Sequence, residues 1–112
     1  MTEQALSHPA LADPALRRFV AEVRALYGER LERLVLFGSR ARGDHRADSD
    51  YDVAVFLHAM GGLWDELGPL SAVTTDIIAG TDANISAKPF RAGSYRDGSP
   101  LMREIQREGV EL

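Results

Sequence analysis

Cysteine is absent from the 112 residues, and its absence removes a disulfide framework, a thiolate zinc site and a cysteine nucleophile at once. Long apolar runs are lacking too. The first thirty residues hold nothing suited to a signal peptide, and no later stretch approaches the ~20 residues needed to span a bilayer. The expectation is a cytoplasmic protein with no membrane partner. Positive charge is in deficit, with 13 Lys and Arg against 17 Asp and Glu and a formal net charge of -4. That balance argues against strong nonspecific nucleic-acid binding through a broad basic surface. It leaves room for a mononucleotide whose phosphates are neutralised locally by a metal.

Repeats, linkers and low-complexity stretches are also missing. Residues 13–112 read as a single domain, preceded by a stretch, 1–12, without periodicity and expected to be frayed. A chain of this length buries roughly two-thirds of its unfolded surface, so a partner, including a second copy of itself, would add useful stability.

Asp13 followed by Pro14 is an N-cap and first-turn pair, and Leu16, Phe19, Val20, Val23, Leu26 and Tyr27 recur at helical spacing up to Gly28. This predicts an amphipathic helix over Pro14 to Tyr27. Leu34 to Phe37 is a short continuous apolar run, which suits a strand buried on both faces. A second strand is predicted over Tyr51 to Leu57, with Asp50, Asp52, Ala54 and Phe56 on one face and Val53, Val55 and Leu57 on the other. A helix follows from about Leu63 to Ala79, expected to be kinked or divided by Gly68-Pro69. Asn84 to Phe90 reads as a third strand, in which Pro89 hints at a strand end or sheet edge. Ser99-Pro100 opens a last helix through about Arg107, with Leu101, Met102 and Ile105 facing inward and Gly109 as C-cap.

The chemistry is concentrated between Gly38 and Asp52. Gly38 ends a buried strand without a side chain, so a phosphate can approach the backbone, and Ser39 offers a hydroxyl and its own N–H. Ser39 to Arg42 suits a helical turn whose free N–H groups attract anions. Arg40 and Arg42 both lie near enough in sequence for one to reach a triphosphate, the other being solvated or structural. Asp50 and Asp52, two apart on a strand, project the same way from backbone positions ~7 Å apart and suit a hard cation such as Mg²⁺, with Mn²⁺ as an alternative. Taken singly, a Gly-Ser pair is a turn and an Asp-x-Asp pair is a solvated strand start. Their coincidence, each at the end of a predicted strand with ten residues between them, points to phosphoryl or nucleotidyl transfer. Asp44, His45, Arg46 and Asp48 read as solvated loop residues, and His8 and His58 as structural or surface groups. Trp64 is assigned equally to packing or to an exposed partner contact.

Gly38-Ser39, ten intervening residues and Asp50-x-Asp52 before an apolar strand resemble the signature of the polymerase-beta-like nucleotidyltransferase superfamily. The short chain is most similar to its minimal members, the MNT proteins often found as antitoxins beside HEPN-domain toxins. The resemblance implies an α+β nucleotidyltransferase fold, a small mixed sheet with helices mainly on one face. It further implies transfer of a nucleoside monophosphate, AMP from ATP in the first instance, to a hydroxyl such as a tyrosine of a HEPN-type toxin. Gly38 and Ser39, with Arg40 or Arg42, would hold the nucleotide, and Asp50 and Asp52 would bind catalytic Mg²⁺. The family's third carboxylate, on the next strand, is not evident: Ser86 aligns with it, and Asp82 and Asp76 lie outside that strand. The alternative is therefore a weak or inactive nucleotidyltransferase-like antitoxin acting as a partner-binding module.

Overall fold

The computed structural model of the chain describes residues 7–112, so the expectation of a frayed start falls outside it for residues 1–6. Over the remainder of that stretch the outcome differs. Pro9–Ala12 forms a 3-10 turn with Leu11 buried in the main core. His8 fastens it: Nδ1 accepts from the Ala10 N–H, and Nε2 donates to the Ala41 carbonyl, both at 3.1 Å.

Asp13 Oδ1 accepts from the Ala15 N–H (2.9 Å) and starts α1, Pro14–Tyr27. This cap satisfies one of the donors that a helix start leaves unpaired. Leu16, Phe19, Val20, Val23 and Tyr27 are buried, whereas Leu26, one position off that stripe, is exposed. Strand β1, Leu31–Phe37, begins three residues ahead of its apolar run because Leu31 still pairs with Leu57 across a register shift at Glu32. A single helical turn, α2 (Ser39–Arg42), leads through a polar loop to β2, Tyr51–Leu57.

Helix α3, Leu63–Thr81, is one continuous element with Pro69 inside it, so the expected division at Gly68-Pro69 does not occur. Proline removes one intrahelical hydrogen bond, but the fully buried Leu70 and Ile77 hold the helix to the sheet beyond that point. Near its start the buried Glu66 is paired with Arg30 at 2.5 Å. Strand β3 (Ile85–Arg91), helix α4 (Pro100–Glu108) and the two-residue strand β4 (Val110–Glu111) complete the order. On α4, Met102 and Ile105 face inward while Leu101 points outward, a correction to the expected stripe. Gly109 has no room for a side chain, since a Cβ there would overlap the Ile105 carbonyl and Val35 Cγ1. That close approach lets the chain turn back into β4.

The fold is a mixed α+β architecture built on a four-stranded sheet in the order β3-β2-β1-β4. β2 and β3 are parallel, and β1 is antiparallel to both β2 and β4. Pro89 lies on an edge strand, as its missing N–H requires. One sheet face, carrying Leu34, Leu36, Val53, Val55, Leu57 and Ile85, is covered by α1 and α3. The other carries Val35, Phe37, Ala54 and Phe56 under α4. There Phe56 stacks on Phe90 (5.4 Å between centroids) and meets Tyr95 edge-on (5.6 Å).

Candidate active site

The end of β1 and the start of β2 are neighbours, because Phe37 pairs with Asp52. The next residue, Gly38, has φ +78° and lies directly against the Asp52 side chain. A Cβ at Gly38 would come within 2.6 Å of Asp52 Oδ2. The glycine turn and the second aspartate, 14 positions apart in the chain, thus form one unit. After Gly38 the chain closes α2 with hydrogen bonds from the Ala41 and Arg42 N–H groups to the Gly38 carbonyl (3.1 Å each). The Ser39 and Arg40 N–H groups fall in the part of the turn where no preceding helical carbonyl accepts.

Asp52 is half-buried and Asp50 exposed. Burial pushes the Asp52 carboxyl above its ordinary value; the Lys88 ammonium opposes that shift, the Asp50 charge adds to it, and Arg42 opposes it. Among the described residues, Asp52 makes no ion pair. Asp50 Oδ1 accepts from Asn84 Nδ2 at 2.9 Å, a partner invisible in the sequence because only the parallel pairing of β2 with β3 brings it there. A desolvated carboxylate beside a second carboxylate fits a divalent cation that completes its shell from substrate and water. The third carboxylate is not supplied. Ser86 pairs with Asp52 itself, and the described residues contain no cluster of three His, Asp or Glu side chains able to hold a metal. Asp82 caps the C-terminus of α3 in a left-handed conformation, and Asp76 is exposed on that helix.

Both arginines make contacts within the chain. Arg40 donates to the Ser49 carbonyl (2.9 and 3.1 Å) and the Ala47 carbonyl (3.1 Å), with its guanidinium 4.4 Å from the Tyr51 ring centroid. It thereby holds the polar loop against β2. Arg42 pairs with Asp44 (3.1 Å) and with Glu108 of α4 (3.0 Å). Lys88 also stands on the Asp52 face, two residues beyond Ser86, with Nζ 5.5 Å from the Phe37 ring centroid. A cavity of about 340 Å³ opens on the opposite side of the sheet, lined by Asp13, Arg40, Ser49, Tyr51, Asp82 and Asn84 among others. Period two separates it from Asp52, and it borders the acid pair through Ser49 and Tyr51, which flank Asp50, and through Asn84, which donates to Asp50.

A small mixed sheet thus ends a buried strand in a Gly-Ser turn and sets an Asp-x-Asp pair against it. Residues 16–81 match the model of the nucleotidyltransferase domain family, and the chain belongs to that family. A protein of Methanocaldococcus jannaschii named "putative protein adenylyltransferase" is 37% identical over 43 residues, covering 38% of this chain and 43% of its own length. The chain thus spans less than half of that relative. Over 99% of its length the chain superposes on 87% of a "putative nucleotidyltransferase" of Sulfolobus solfataricus, with a TM-score of 0.65 and 20% identity. A toxin–antitoxin structure with AMP-PNP gives a TM-score of 0.54 at 17% identity, covering 83% of this chain and 68% of that one. At these identities the two structural likenesses concern the fold.

Proposed function

We propose that this nucleotidyltransferase domain transfers AMP from ATP, with Mg²⁺, to a hydroxyl of a protein partner, a tyrosine of a HEPN-type toxin. The observation that carries the reading is the contact between Gly38 and Asp52, which sets a turn open to phosphate against a desolvated carboxylate. Gly38 and Ser39 bind the triphosphate, and Asp50 and Asp52 are the metal ligands. Mg²⁺, when bound there, supplies charge neutralisation of the phosphates. Asn84 holds Asp50 in position. The acceptor oxygen attacks the α-phosphorus, the bond to pyrophosphate breaks, and the acceptor proton passes to water or to the partner, since Ser86 is no base at neutral pH. Similarity to a protein named "putative protein adenylyltransferase" and to the fold of a toxin–antitoxin structure supports AMP as the group and a protein as the acceptor. Trp64, 83% exposed at the start of α3, is a surface anchor for that partner.

The test is incubation with α-labelled ATP, Mg²⁺ and the product of the neighbouring gene. Label should appear on the partner with the wild type and not with Asp52→Ala. Ser86 opposite Asp52 favours a second reading, in which the domain masks its partner without transferring anything. Calorimetry separates the two. Nucleotide binding that needs Mg²⁺ and is lost in Asp50→Ala belongs to the enzyme; tight partner binding without nucleotide affinity belongs to the module.

A further inference from the structure

We propose that Lys88, rather than Arg40 or Arg42, is the cation of this site that binds the polyphosphate of the nucleoside triphosphate. The inference rests on the nucleotide-binding reading above. Both arginines are already occupied. Arg40 is committed to two backbone carbonyls and the Tyr51 ring, and Arg42 to two carboxylates on different elements. Either would have to exchange contacts with the polar loop or with α4 for a phosphate.

Lys88 faces the Asp52 charge, within the acid pair's own site, and not a partner on another layer of the fold. Among the described residues it makes no ion pair, and its ammonium rests near the ring of Phe37, the residue immediately before the Gly38 turn. The parallel register pairs Ser86 with Asp52 and Lys88 with Ala54, so Lys88 shares the face on which Asp52, Phe37 and the turn converge. A four-carbon stem with a mobile, strongly hydrated ammonium suits a phosphate that arrives and leaves. The departure at Ser86 also acquires a physical sense: β3 presents a neutral hydroxyl and a cation to the acid pair. The net negative charge facing a triphosphate is thereby lower than with a third carboxylate.

The experiment is equilibrium binding of ATP and of AMP in the presence of Mg²⁺, on the full chain, for the wild type, Lys88→Met, Lys88→Arg and Arg17→Met. Methionine keeps an apolar stem beside Phe37, and Arg17 is an exposed cation on α1, across the sheet. Loss of one charge-assisted phosphate contact should weaken ATP binding by about tenfold or more. Lys88→Arg should restore most of it, AMP binding should change much less, and Arg17→Met should bind ATP as the wild type does. Equal ATP affinity in Lys88→Met and wild type would overturn the assignment while leaving the nucleotide site intact. Equal weakening of ATP and AMP in Lys88→Met would overturn it too. A wild type that binds neither nucleotide would sink this assignment together with the reading it rests on. Circular dichroism of each variant confirms that the fold is retained.

Discussion

Gly38 shows how much one residue can be asked to do. Its φ of +78° is a conformation that L side chains rarely adopt, and the space a Cβ would need is taken by Asp52 Oδ2. Gly38→Ala should therefore destabilise the fold by roughly 1–3 kcal/mol, measured by urea denaturation. Asp52→Ala in the same chain should recover the steric part but not the part due to φ. Asp52 itself is held in a place that suits its protonated form. Its folded-state value lies above the unfolded one, so the native state binds the proton more tightly, and stability falls as pH rises through that interval. Without added metal, Asp52→Asn should then melt at a higher temperature than wild type near neutral pH. Mg²⁺ should reverse the order, because a ligand at a hundredfold excess over its Kd stabilises the state that binds it by about 2.7 kcal/mol and the variant has lost the charge that binds it. Scanning calorimetry with and without Mg²⁺ checks both signs. Ser86→Asp completes the carboxylate set, and label transfer to the partner should rise, toward the roughly 10²–10⁴-fold that a general base contributes.

Among the elements, α3 is the one whose sequence and shape pull in different directions. Gly68 and Pro69 sit inside a helix that nonetheless runs unbroken from Leu63 to Thr81. Tertiary burial of Leu70 and Ile77 outweighs the missing hydrogen bond and the backbone freedom of glycine. A Cβ at Gly68 would meet nothing within 4 Å, so Gly68→Ala should stabilise the protein by about 0.5–1 kcal/mol. Denaturant titration reads this directly. A loss of stability would mean that α3 owes its shape to that glycine. Helix α1 has no such conflict: its cap, its proline and its buried stripe agree, which is why its limits were readable from the chain.

For the molecule as a whole, two buried tyrosines set its behaviour in alkali, and the hydroxyl of one of them, Tyr51 on β2, ties the sheet to the cap of α1. Burial is the main reason that Tyr27 and Tyr51 are each pushed up to about 12. The charge of Glu66 adds at Tyr27, and the hydrogen bond to Asp13 (2.7 Å) adds at Tyr51. The unfolded chain releases both protons near pH ~10, where the native state still holds them. Stability should fall as pH climbs from about 10 to 12 and level off above that. Tyr51→Phe should flatten part of that slope in a series of urea melts. No described helix is long and apolar enough to cross a membrane. The exposed Trp64 and Leu63 leave an apolar spot on the surface suited to association.

Local signals are legible as far as local physics reaches. The Asp13-Pro14 start, the 3.6-residue stripe of α1, the two-residue alternation of β2 and the Gly38-Ser39/Asp50-x-Asp52 spacing each follow from backbone geometry, and each is found in its predicted place. The proline on β3 announced an edge strand, since a missing N–H is tolerated where no neighbour needs it. What the chain could not announce depends on partners distant in sequence. Strand β4 is two residues long and forms only because β1 offers its free edge. Leu26 and Leu101 face water because the sheet lies on the other side of their helices. The contacts of Arg40 come from the fold of the polar loop, the pair of Arg42 with Glu108 from the packing of α4, and the bond from Asn84 to Asp50 and the placing of Lys88 beside Phe37 from the register of β2 with β3. Which groups could do the chemistry was set along the chain, because residue type and spacing dictate charge and direction on a strand. Which of them face the site without a partner to give up was set by the fold, because a charge paired across the molecule must exchange that partner for a substrate.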